Sequence, residues 1–232
     1  ISGILPLIML SIWISVDYIG ISGLDIDQLR KYFISAFIVR QFTAVWVMVT
    51  FEEDLIEGNL SSFLLQPFPV MIRYILSHIA EQFTRLPFVC FMLISLFSLW
   101  PSSFWKPNIS SFIIALIAIF LGFILRFLLH WCFCMLCFWV ERASSIERLL
   151  LIPYIFLSGL VAPLEAFPES ITGFIMYTPF PYFLAFPSQI LSGQNVNLFN
   201  GFTISIMWSF SLLVISTIFW RKGVKHYSAM GS

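Results

Sequence analysis

From Ser110 to Val140 the only formally charged side chain is Arg126, in a run otherwise dominated by Ile, Leu, Phe, Ala and Cys. A helix needs about 20 mostly apolar residues to cross the hydrocarbon core of a bilayer. In lipid every backbone polar group must be satisfied within the segment, so a run of this kind is read as a helical span. It is longer than a crossing requires, so it tilts or extends beyond the bilayer. Five further segments have the same character, at about 1–20, 32–51, 75–100, 149–161 and 202–220. The whole chain is 59% hydrophobic and 10% charged, against about 45–50% and about 25% in soluble domains. This predicts an all-α membrane protein with six transmembrane helices in one domain over 1–232. The first residue is Ile, inside an apolar run, so an N-terminal segment is expected upstream. The net charge is zero, which gives a nucleic-acid partner no electrostatic support.

Orientation follows from Lys and Arg near the span ends. With a cytoplasmic tail, the 51–74 and 141–148 connections share its side. That side then holds Arg73, Arg142, Arg148, Arg221, Lys222 and Lys225, with Arg85 close by. The opposite side holds Arg30, Lys31 and Lys106. The bias favours both termini in the cytoplasm, with Arg30 and Lys31 counting against it.

The stretch from Glu52 to Pro67 stands apart. It holds Glu52, Glu53, Asp54 and Glu57, followed by Ile56, Leu60, Phe63 and Leu64 at i, i+4, i+7 and i+8. That spacing is one face of a helix. Acids in the first turn suit its dipole, and Pro67 and Pro69 end it. A helix over 52–66 is therefore expected, lying on a membrane surface or docked on a protein. A lipid-binding helix carries Lys and Arg on its polar face. This one carries acids, which the inner leaflet repels, so a protein groove is the better fit.

Pro163 to Asn200 is too apolar for an ordinary loop and too interrupted for a span. Pro168 followed by Glu169 opens one short helix, and Pro181 opens another that ends near Gly193. The stretch 163–193 reads as a hairpin dipping back into the membrane from the outer side, tolerated only where protein or a water-filled cavity covers it.

Little here suggests catalysis. There is no GxxxxGK[ST] loop, GxSxG or HExxH pattern. Cys90, Cys132, Cys134 and Cys137 lie in apolar segments and read as reduced thiols. Arg126, His130, Cys134, Cys137 and Glu141 share a helix face. A Zn or Cu site there has weak support beside a mildly polar packing stripe, and no metal is expected. Arg40 and Arg126 are the deepest charges in the spans. Each contacts an anionic group or gates, or else makes a structural pair or snorkels to an interface. Arg40 is the candidate for a substrate path or gate, whereas a structural role is favoured for Arg126. Asp17 is expected at an interface.

Three passages together resemble a known family. They are FEEDLIEGNLSSFLLQPFP (51–69), FLSGLVAPLEAFPESITGFIMYTPFPYFLAFPSQILSG (156–193) and RKGVKHYSAMGS (221–232). They are similar to the acidic helix, the Pro-rich outer hairpin and the basic closing segment of permease subunits of type-2 ATP-binding-cassette exporters. The resemblance runs from about residue 30 onward. It implies six spans, a short cytoplasmic coupling helix after the second span and a re-entrant hairpin between the fifth and sixth. It implies that Glu52, Glu53, Asp54, Glu57, Leu60 and Phe63 couple to a separate ATPase subunit, which carries ATP and Mg, with no cofactor on this chain. A second permease copy or a sister permease completes the path, lined by the first, second and fifth spans. The cargo would be a lipid, glycan or other amphipathic molecule, and the location a bacterial-type inner membrane. Gln66 departs from the family's LLRP version, which puts a basic contact there in doubt. The competing readings are a secondary transporter or channel without an ATPase, which would want a deep Asp or Glu, and a lipid-modifying enzyme using Glu165 and Glu169.

Overall fold

A computed structural model describes residues 4–16, 25–101, 104–140 and 144–230. Asp17, Glu141 and Arg142 lie outside them. Among the described residues every regular element is helical. The α-helices are α1 (Leu5–Val16), α2 (Ile26–Thr43), α3 (Val47–Ile56), α4 (Asn59–Leu64), α5 (Val70–Leu99), α6 (Ile109–Cys134), α7 (Ser144–Leu157), α8 (Glu169–Ile175), α9 (Ala185–Ser192) and α10 (Leu198–Met230). Short 3-10 turns follow α6 and lead into α8 and α9. Among the described residues four stretches are long and apolar enough to cross a membrane: 26–56, 70–99, 109–138 and 198–227. α1 is apolar but shorter, and α7 carries Pro153 in its interior.

Local chemistry sets the boundaries. α2 begins at Ile26, ahead of the expected Tyr32, because Asp25 and Gln28 form a capping box. The Asp25 carboxylate accepts the Ile26 N–H at 2.9 Å. α2 then breaks at Ala44 to Trp46, where one span was expected to run on to Phe51. The break frees carbonyls in the last turn of α2, which need partners in an apolar setting. α5 supplies them. Gln82 Nε2 donates to the Phe42 carbonyl at 2.7 Å, and Arg85 Nη1 to the Gln41 carbonyl at 3.1 Å. The Trp46 N–H donates to His78 Nε2 at 3.3 Å, while His78 Nδ1 lies 2.8 Å from the Tyr74 carbonyl. These two contacts together require the Nδ1–H tautomer. Arg85 also stacks over Trp46 at 4.2 Å and pairs with Glu81 at 3.1 Å.

The tail expected after residue 220 continues α10 as helix to Met230. Nothing between Arg221 and Met230 stops a helix except Gly223, and that glycine lies against the Phe138 ring, where a side chain would collide. In the 163–193 stretch, α8 starts after Pro168 and α9 ends at Gly193 (φ 80°), as expected. The second helix starts at Ala185 rather than Pro181, because Leu184 (φ −139°, ψ −58°) interrupts it.

α6 is the central column, packed by α2, α3, α9 and α10. Towards one end, Ala115, Ala118 and Leu125 meet Tyr182, Phe183 and Leu184. Towards the other, rings interlock: Phe51 lies edge-on to Trp131 at 5.3 Å, and Trp131 stacks on Trp220 at 5.8 Å. Such pairs are worth about 0.5–1.5 kcal/mol each beyond their buried area. α5 and α10 are peripheral and expose Phe83, Phe91, Phe210 and Ile215, faces suited to lipid.

Gly122 lets the backbone at Tyr182 and Phe183 approach α6. A Cβ there would lie 2.7 Å from the Tyr182 carbonyl oxygen and 3.5 Å from that of Phe183. Backbone cannot yield as a side-chain tip can. Gly122→Val is expected to destabilise the protein by about 1–3 kcal/mol, read as a lowered unfolding temperature in detergent.

Candidate functional site

The acidic stretch forms an elbow. α3 ends because Gly58 takes the left-handed conformation (φ 77°) that a residue with a side chain resists. The Gly58 N–H returns to the Leu55 carbonyl at 3.3 Å and the Glu57 N–H to that of Glu53 at 2.9 Å. α4 then starts in a new direction. The single helix expected over 52–66 is thus two, with a turn at Glu57–Gly58.

This turn redistributes the expected site residues. Leu60 is fully buried and Phe63 nearly so, in the ring cluster with Phe51 and Trp131. Arg73 lies over the Phe63 ring at 3.8 Å. Asp54 also faces inward, and Tyr74 Oη donates to its Oδ2 at 2.7 Å. Asn59 Nδ2 donates to Asp54 Oδ1 at 3.2 Å and to Glu57 Oε2 at 2.9 Å, which closes the turn. Ser61 Oγ and Tyr227 Oη lie 2.9 Å apart and tie α4 to the end of α10. Glu52 is half-buried, whereas Glu53 and Glu57 point into solvent. The exposed apolar tip consists of Ile56 (69% exposed), Leu65 (88%) and Phe68 (72%). An amphipathic stripe marks which face is covered, but not what covers it, so the sequence did not separate buried Leu60 from exposed Ile56, which lie on the same stripe.

Sequence reasoning also missed the ties from α5. Tyr74, His78, Gln82 and Arg85 fall at i, i+4, i+8 and i+11, a polar stripe on an apolar helix. That periodicity was the available signal. The elbow is therefore mechanically joined to α5 at Asp54–Tyr74 and again at the α2–α3 break.

Deeper in the protein the structure brings Arg40 and Arg126 together. Tyr154 of α7 lies between them. Arg40 Nη1 donates to Tyr154 Oη at 2.8 Å, and the Arg126 guanidinium lies 4.1 Å from the ring centroid. His130, one turn on, places Nδ1 2.9 Å from the Arg126 carbonyl. Cys134 and Cys137 are buried among rings, and among the described residues no three His, Cys, Asp or Glu side chains converge to hold a metal. On the hairpin side, a cavity of about 660 Å³ lies between α8, α9 and the start of α10. Tyr177, Tyr182, Asn195 and Asn197 line it, and the Gln189 amide donates to the Glu165 carboxylate beside it.

Among the described residues four helical stretches are long and apolar enough to cross a membrane, as a membrane protein requires. Comparison with family models goes further. The model of the ABC-2 family transporter protein matches residues 5–231, so the chain belongs to that family. It is thus an integral membrane protein of the ABC-2 permease type, a family of transport subunits associated with ATP-binding-cassette ATPases. Searches of curated proteins and of solved structures give no match.

Proposed function

We propose that the chain is the membrane subunit of an ATP-driven exporter for an amphipathic substrate, and that a separate ATPase grips it at the elbow. The observation that carries this reading is the exposed tip of Ile56, Leu65 and Phe68 beside Glu53 and Glu57. Exposed apolar anchors in an acidic segment suit a protein groove, whereas the anionic inner leaflet would repel its acids. Glu53 and Glu57 would make the contact. Glu52, Asp54, Leu60 and Phe63 would act from behind it and pass the motion to α5.

In this reading α1, the α2–α3 unit, α5, α6, α7 and α10 make six crossings of an inner membrane. Both termini and the elbow lie in the cytoplasm, and the 163–193 hairpin lies outside. A second copy or a sister permease pairs with this chain, and ATP and Mg bind on the ATPase. Glu52, Asp54, Glu81 and Glu165 are each partly or fully exposed, so none of them is the deep acid an ion-driven carrier uses for coupling.

The test is purification in mild detergent with the ATPase co-expressed. The reading expects the two to co-elute, and vanadate trapping to change the exposure of Leu65 to a thiol probe in a Leu65→Cys variant. A chain that elutes alone and moves its cargo without ATP contradicts it.

A further inference from the structure

Arg40 and Arg126 are both buried, on α2 and α6. A guanidinium cannot shed its proton in a protein, so this interior carries two permanent positive charges. The ion pairs among the described residues are Arg30–Asp27 and Arg85–Glu81. Neither involves Arg40 or Arg126. Their shared partner is a neutral phenol, Tyr154, which accepts one hydrogen bond and offers one ring. Arg126 Nε and Nη1 are buried with no hydrogen-bond partner. The hydroxyl of Ser158, one turn beyond Tyr154, is buried and unpartnered as well. A structural arginine in an apolar interior has its donors satisfied, because leaving them bare carries the full desolvation penalty. Buried guanidinium donors left unpaired call for a charged acceptor, and an oxyanion supplies one.

We propose that Arg40, Arg126 and Tyr154 form a buried anion site for a phosphomonoester oxyanion. Two fixed positive charges match a group that carries about −1.5 to −2 at neutral pH, and a low-dielectric interior strengthens that pairing. The same helix supplies a surface for an acyl chain, since Leu151, Ile152 and Phe156 of α7 are exposed. Pro153 removes a backbone hydrogen bond one residue before Tyr154, so α7 is the wall that can yield to admit a head group. Naming the occupant as cargo rests on the exporter reading above; the anion site itself does not.

The experiment measures binding with no ATPase present, so it stands or falls separately from that reading. The purified full-length chain, in detergent, is titrated with phosphatidic acid, phosphatidylcholine or inorganic phosphate, and thermal unfolding is followed. Phosphatidic acid is expected to raise the unfolding temperature of the wild-type chain, and phosphatidylcholine to leave it unchanged. Arg126→Gln and Arg40→Gln should each weaken phosphatidic acid binding by about tenfold or more, the loss of a charge-assisted bond. Arg126→Lys, which keeps the charge but not the fork, should fall between. Without any anion, Arg126→Gln should unfold at a higher temperature than wild type, a gain that a purely structural arginine would not show. A matching response to inorganic phosphate identifies free phosphate as the occupant. A response confined to phosphatidic acid identifies a lipid-borne head group. Equal responses to phosphatidic acid and phosphatidylcholine, or glutamine variants that bind phosphatidic acid as wild type does, overturn the proposal.

Discussion

Leu65→Asp is expected to lower ATP-dependent transport by about tenfold or more and to leave the fold intact. Leu65 is 88% exposed at the tip of the elbow, and an exposed substitution of this kind costs within about 0.5 kcal/mol of stability. In a docked complex the same side chain would fill an apolar hole. Truncating a central anchor costs about 2 kcal/mol or more of binding energy, and every 1.4 kcal/mol is about tenfold in affinity. An aspartate adds the desolvation of a charge and one more acid beside Glu53 and Glu57. Detergent-solubilised Leu65→Asp should therefore run as wild type on size exclusion and unfold at the same temperature, yet retain little ATPase. Normal transport in this variant would move the docking site elsewhere.

Leu60→Asp should fail differently. Leu60 has no exposed surface and packs among Phe51, Trp131 and Phe138. Removing a buried leucine side chain costs about 2–5 kcal/mol, and an unpaired buried carboxylate adds several more. Whole-domain stability is about 5–15 kcal/mol, so the variant should be recovered poorly or aggregated, whether or not an ATPase is present. The two leucines lie five positions apart and carry opposite expectations: one loses its partner and keeps its fold, the other loses its fold. A Leu60→Asp chain that purified normally but could not hold its ATPase would place Leu60 on the outside, contrary to the structure.

The parts of this fold legible in the sequence are those set by local chemistry. α6 announces itself because the run from Ser110 to Val140 has one charge. The hairpin helices show through Pro168 and Gly193, whose backbone preferences need no tertiary partner. The capping box at Asp25 and Gln28 is equally local, and it starts α2 ahead of the span expected from Tyr32. The break at Ala44 to Trp46 is of another kind. It exists because Gln82 and Arg85, far along the chain, satisfy the carbonyls it frees. The elbow shows both limits. Its acidity and its stripe are local, so an amphipathic helix there could be anticipated. The turn at Gly58 and the ring cluster behind it decide that Leu60 and Phe63 face in, and a single helix drawn over 52–66 cannot express that. Arg40 and Arg126 were each visible as a charge in a span, but their convergence on Tyr154 is a matter of three helices meeting.

The account places an ATPase on the exposed tip of the elbow. A photoreactive amino acid at position 65, with the same probe at Phe104 as a control, tests this directly in native membranes, with mass spectrometry of the products. Phe104 is also exposed and, in the proposed orientation, lies on the opposite side of the membrane. The account predicts that position 65 crosslinks to an ATP-binding-cassette ATPase and that position 104 does not. Position 65 crosslinked to lipid alone, with no ATPase recovered, would contradict it.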